Sequence, residues 1–158
     1  EKILKKFCIR NLKYIETYKT EFLDLWAENI QSLILDNDPG KVIAIMSKLY
    51  RFSGRDSKFI GIRDSVFQKY HIDTLRKYGG VKNSLVLETI YCEYTYSREL
   101  FEDAEDLAAS LIQQLTPLIL DRETQNFGWW MIKSSLLCFQ NKKKARDILI
   151  EVTKRIGI

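Results

Sequence analysis

The side chains able to do chemistry are few and scattered. His71 is the only histidine, and Cys8, Cys92 and Cys138 are the only cysteines. A structural zinc site needs four nitrogen or sulfur ligands in paired spacing. No Cys-x-x-Cys pair occurs, and each thiol sits alone in an apolar-periodic segment. The cysteines are therefore expected as reduced, half-buried core residues, which suits a reducing compartment. No phosphate loop, dinucleotide fingerprint or serine nucleophile elbow is present. The stretch DNDPG at 36–40 opens like a calcium loop, but Ser47 stands at its twelfth position and Pro39 disturbs the ligand order. It reads instead as a helix start. Carboxylates cluster only in ELFEDAED (99–106), with no histidine beside them. These residues predict a protein with no metal, no cofactor and no catalytic centre.

Charge is the more informative feature. The formal net charge is +4, yet 41–82 carries +7, 83–128 carries −7 and 129–158 carries +5. Lys48, Arg51, Arg55 and Lys58 in the first basic block can share a helix-end surface, and Tyr50, Phe52, Phe59 and Tyr70 are interleaved with the basic residues. Phosphates attract such cations and bases stack on such rings, so nucleic-acid binding is one expectation. The other is that the cations are solvated faces and the rings are core. Lys142, Lys143 and Lys144 form a second basic cluster where a turn meets a helix. Lysine opposes the dipole of a helix start, which hints at a further use for those charges. Five acids in 99–106 suit a helix start on the same ground, and pairing with a basic block within or between chains is equally open.

The elements that position these groups are helical. Seven glycines and two prolines are too few for an all-β chain of 158 residues. Residues 3–35 keep an apolar residue every three or four positions without glycine or proline, the pattern of one long amphipathic helix or two nearly continuous ones. A second helix is expected from Asp38-Pro39 to Ser53-Gly54, and a third capped by Asp56 or Ser57, with a break near Ile72-Asp73 and a stop at Gly79-Gly80. The next begins at Asn83 or Ser84. Another carries Phe101 to Leu115, with a boundary or kink at Thr116-Pro117. The last hairpin joins Phe127–Phe139 to Lys142–Ile156. The whole is expected to be one all-α domain of about seven to nine helices in antiparallel hairpins, a bundle or a short solenoid.

In that hairpin Trp129, Ile132, Leu136 and Phe139 share one face, and Ala145, Ile148, Leu149, Val152 and Ile156 form a matching stripe. The two stripes are expected to pack on each other. Trp130 points about 100° away from Trp129, toward another helix, a ligand or solvent. Trp129, Ile132, Leu136, Ala145, Leu149 and Val152 resemble the pattern of a degenerate tetratricopeptide-type repeat. Leu87, Ile90, Tyr94, Phe101, Ala104, Ala108 and Leu111 resemble a second one. The family's turn glycine is absent from both, and Ala104 and Ala145 are 41 residues apart, against about 34 in the family. The resemblance implies stacked helical hairpins and a concave face that binds a peptide or protein.

The leading functional expectation is thus a non-enzymatic protein–protein interaction module of a regulator or assembly, using Trp130, Tyr94, Tyr96, Glu99, Glu102 and Asp103. Nucleic-acid binding through Lys48, Arg51, Arg55 and Lys58, joined by Lys142, Lys143 and Lys144, is the alternative. A third expectation is the ligand-sensing helical domain of a transcription regulator, with aromatics lining a cavity. No run of 18 apolar residues spans a membrane, and the start of the chain is too charged for a secretory signal. The reading is of an intracellular protein, cytoplasmic or nuclear. The chain opens at Glu1 rather than methionine, the expectation for a domain taken from a longer protein.

Overall fold

The computed structural model describes residues 39–78 and 81–157. The helix expected over 3–35, with Cys8, lies outside them, as do the Asp38 cap and the Gly79-Gly80 stop. The described residues form seven helices and no strand: α1 (Pro39–Ser53), α2 (Ser57–Lys69), α3 (Ile72–Arg76), α4 (Val81–Ser97), α5 (Phe101–Leu120), α6 (Gln125–Leu136) and α7 (Lys142–Arg155). The protein is all-α. It divides into two compact units, Glu1–Ser84 and Leu85–Ile158.

In the first unit, α1 begins at Pro39, where a missing N–H leaves no helical bond unmade. It buries Val42, Ile43, Ile45, Met46, Leu49 and Tyr50 and packs on α2 and α3. Gly54 follows because a Cβ there would stand 2.7 Å from both the Tyr50 ring and the Tyr50 carbonyl. Asp56 caps α2 by accepting the Lys58 N–H at 2.9 Å, and Phe59, Ile62 and Val66 face inward. The single histidine serves the helix beside it. His71 Nδ1 accepts the Asp73 N–H at 3.3 Å and so caps α3.

Helix α4 starts at Val81, ahead of the expected Asn83 or Ser84, and enters the second unit at Leu85. Leu85, Val86, Leu87, Ile90, Cys92 and Tyr94 are all buried, the all-round burial of an enclosed helix. The Thr89 hydroxyl donates to the Leu85 carbonyl at 2.9 Å and meets Met131 Sδ of α6 at 3.4 Å. Of the boundary or kink expected at Thr116-Pro117, the boundary is absent, since α5 runs through Pro117 to Leu120. Proline cannot donate to the Gln113 carbonyl, but Leu115, Thr116 and Ile119 are buried, and that packing carries the helix onward. The Thr124 hydroxyl then closes the end by donating to the Leu118 carbonyl at 2.7 Å.

Helices α5 and α6 form the most extensive helix pair among the described residues. The face that α6 buries is Gly128, Met131, Ile132, Ser134 and Ser135. This corrects the expected stripe: Ile132 is in it, but Trp129 and Leu136 are half-buried on its flank, and α6 ends before Phe139. Gly128 faces α5, where the two backbones approach closely. A Cβ on Gly128 would lie 3.2 Å from Leu118 Cβ and 3.3 Å from the Ile119 nitrogen.

Candidate functional site

The last helix answers why three lysines stand at a helix start. Asn141 caps α7, its Oδ1 accepting the N–H groups of Lys143 and Lys144 at 3.1 and 3.3 Å. The Glu105 carboxylate of α5 accepts the Asn141 N–H at 3.0 Å and the Lys144 ammonium at 3.4 Å. The negative charge that the dipole favours is therefore supplied by a neighbouring helix rather than by α7 itself. It also joins the acidic block to a basic block within one chain.

The same contact fixes the direction of α7. Ala109, Ile112, Gln113 and Thr116 of α5 flank one groove with Ile148, Glu151, Val152 and Arg155 of α7. Each set lies at i, i+3, i+4 and i+7, the sets are displaced by 39 residues, and so are Glu105 and Lys144. The two helices run parallel, α6 connecting them. The groove holds about 100 Å³, below the roughly 300–1,000 Å³ of sites that enclose a small ligand.

Glu105 carries a testable consequence. The Asn141 N–H, helped by Lys144, holds its carboxyl below the ordinary glutamate range against an opposing push from partial burial. A carboxylate whose pKa is depressed on folding adds stability that is present above its unfolded pKa and lost as pH falls through the folded value. Urea unfolding as a function of pH is expected to show a steeper acid loss in the wild type than in Glu105→Gln. Equal acid limbs would contradict the tether.

Among the described residues, most side chains of α7 are exposed. Val152 is its one fully buried side chain, Ala145, Ile148 and Ile156 are half-buried, and Leu149 and Ile150 are 38% and 42% exposed. Of the stripe expected to pack on α6, Ile148 and Val152 line the groove against α5. Ile150 lies in a row with Lys143, Arg146 and Lys154, at i−7, i−4 and i+4, and all four are exposed.

Of the residues expected at an interface, Tyr94, Tyr96, Glu99, Glu102 and Asp103 lie at the corner between α4 and α5, and Trp130 lies on α6. Glu99 adopts a positive φ of 63°. The Glu99 N–H donates to the Tyr96 carbonyl at 2.9 Å and the Leu100 N–H to the Thr95 carbonyl at 3.3 Å, the paired bonds of a Schellman stop in which glycine usually fills that position. Tyr96 meets Phe101 edge-on at 5.1 Å. Glu102 and Asp103 are exposed in the first turn of α5. Tyr94 is packing rather than surface, at 9% exposure with the Arg98 guanidinium 5.3 Å from its ring centre. Trp130 is half-buried, its ring 6.3 Å from Phe127. Since a left-handed non-glycine residue costs about 1–2 kcal/mol, Glu99→Gly is expected to raise stability by about 1 kcal/mol. A urea midpoint that stays the same or falls would show that the glutamate side chain offsets its own strain.

The basic residues divide between the units. Lys48, Arg51 and Arg55 are exposed and Lys58 half-buried in the first unit, while Lys142, Lys143 and Lys144 are exposed in the second. The rings expected to stack on bases are partly interior: Tyr50 and Phe59 are buried against each other, centroids 5.8 Å apart. Arg63 is buried, with its guanidinium 2.9 Å from Asp64. Cys92 and Cys138 are buried. No cluster of three or more metal-ligating side chains occurs among the described residues, and no described helix is long and apolar enough to cross a membrane. Pairing of the acidic run with a basic block was open from sequence, but not that Glu105 would be the acid or the start of α7 its partner. No family model, curated protein or solved structure matches the chain.

Proposed function

We propose that the chain is a non-enzymatic protein–protein interaction module of a regulator or multi-protein assembly, and that α7 is its docking element. The observation that carries this reading is the uncovered apolar surface of α7. A helix of 14 residues is marginal alone, since helices shorter than about 12–15 residues depend on packing an amphipathic face. Here that face keeps Leu149 open, Ile150 stands open outside it, and Leu137 in the preceding turn is 47% exposed. Single exposed leucines are ordinary, but Leu149 and Ile150 stand exposed side by side on one helix. Interfaces are anchored by such residues within a charged rim.

The burial of Tyr50 and Phe59 weakens the nucleic-acid alternative, because it removes two of the rings that were to stack on bases and leaves phosphate contacts. The test is affinity capture of partners by the full chain from its own cells. Leu149→Asp with Ile150→Asp is expected to reduce the captured partner at least tenfold while leaving helicity unchanged. Capture that survives the double variant undiminished would remove α7 as the docking element.

A further inference from the structure

The outward face of α7 specifies the chemistry of what it docks. Helix α7 carries six basic residues and two acidic ones. Viewed down the axis, Val152 and Ile148 turn toward α5. Lys143, Arg146, Ile150 and Lys154 occupy the opposite side, all exposed. Leu149, 38% exposed, lies between the two faces. An isoleucine thus stands inside a row of three cations, with the exposed Asp147 at its edge. Lys144 is drawn away toward Glu105, so the acid that offsets the start of α7 does not lie on this row.

We infer that this face binds an acidic amphipathic helix of a partner protein. One of the partner's apolar side chains rests on Ile150 and Leu149, and its carboxylates meet Lys143, Arg146 and Lys154. Charge complementarity selects the acidic partner, and the apolar residue within the cationic row selects a protein. Phosphate recognition has no use for an exposed isoleucine at its centre. A membrane-surface helix separates its apolar and basic arcs, whereas here they coincide and the larger apolar face is turned inward. This inference rests on the docking role proposed for α7 and adds the chemistry of the occupant.

The test is fluorescence anisotropy of the full chain with two labelled probes, a helical peptide of leucine and glutamate and its twin with lysine for glutamate. The glutamate peptide is expected to bind and the lysine peptide not. Binding is expected to weaken as salt rises and to fall at least tenfold in Ile150→Asp. In the triple variant Lys143→Glu, Arg146→Glu, Lys154→Glu the preference is expected to reverse toward the lysine peptide. These positions are exposed, so the variants are expected to fold, and circular dichroism checks this. Absence of binding to the glutamate peptide at low salt, or binding indifferent to both variants, overturns the inference. So does binding of duplex RNA or phosphatidylserine vesicles that is lost in the triple variant while the glutamate peptide stays unbound. Self-association abolished by the same variants assigns the face to a second copy and also overturns it. If the peptide fails while partner capture still depends on Leu149 and Ile150, the docking role stands and only the acidic chemistry falls.

Discussion

Phe139→Ala is expected to destabilise the second unit by about 3–5 kcal/mol, the range for a buried phenylalanine truncated to its Cβ. Phe139 lies beyond the end of α6, in the turn toward α7, yet it is 1% exposed, and Cys138 beside it is equally buried. The turn is therefore part of the core rather than a solvated link. Two residues earlier, Leu137 is exposed, and Leu137→Ala is expected to change stability by no more than about 0.5 kcal/mol. Urea unfolding of both variants, with m unchanged, checks the contrast. A loss below about 1 kcal/mol for Phe139→Ala would show that the turn does not pack as described.

Gly128→Val is expected to be the second large loss, about 2–3 kcal/mol. Two effects oppose each other at this position. Any side chain relieves the cost of glycine within a helix, about 1 kcal/mol for alanine, and less for a β-branched residue. Against this, the new Cβ meets Leu118 and the Ile119 backbone nitrogen at 3.2–3.3 Å, and valine adds two methyl groups to the same gap. A backbone atom cannot swing aside as the end of a side chain can, so overpacking wins. Gly128→Ala is expected to be milder, because its propensity gain offsets part of the clash. A valine variant as stable as the wild type would mean that α5 and α6 can separate at little cost.

These two positions show where the sequence was legible and where it was not. The all-α class followed from apolar spacing, and the starts of α1 and α2 followed from Pro39 and Asp56, because caps and periodicity are local. What failed was the choice of inward face. Large residues drew the α6 stripe through Trp129, Ile132 and Leu136, whereas the buried face keeps Ile132 and adds Gly128, Met131, Ser134 and Ser135. Close helix approach rewards small side chains, and periodicity of large ones cannot reveal that. Pro117 signalled a boundary or kink by local rules, and burial of the residues around it carries α5 past the boundary. The pairing of α7 depends on one carboxylate 39 residues away, a relation that no short-range pattern contains. The acidic corner was found because its residues are adjacent in sequence, while the basic row around Ile150 emerged only once α7 had a direction and a covered side.

Hydrogen–deuterium exchange of the full chain, alone and with its captured partner, tests the central claim most directly. If α7 is the docking element, added protection is expected at its amides from Lys144 to Arg155, with residues 39–78 unchanged. Protection confined to 39–78, with α7 exchanging as it does in the free chain, would contradict the account and return the interface to the basic surface of the first unit.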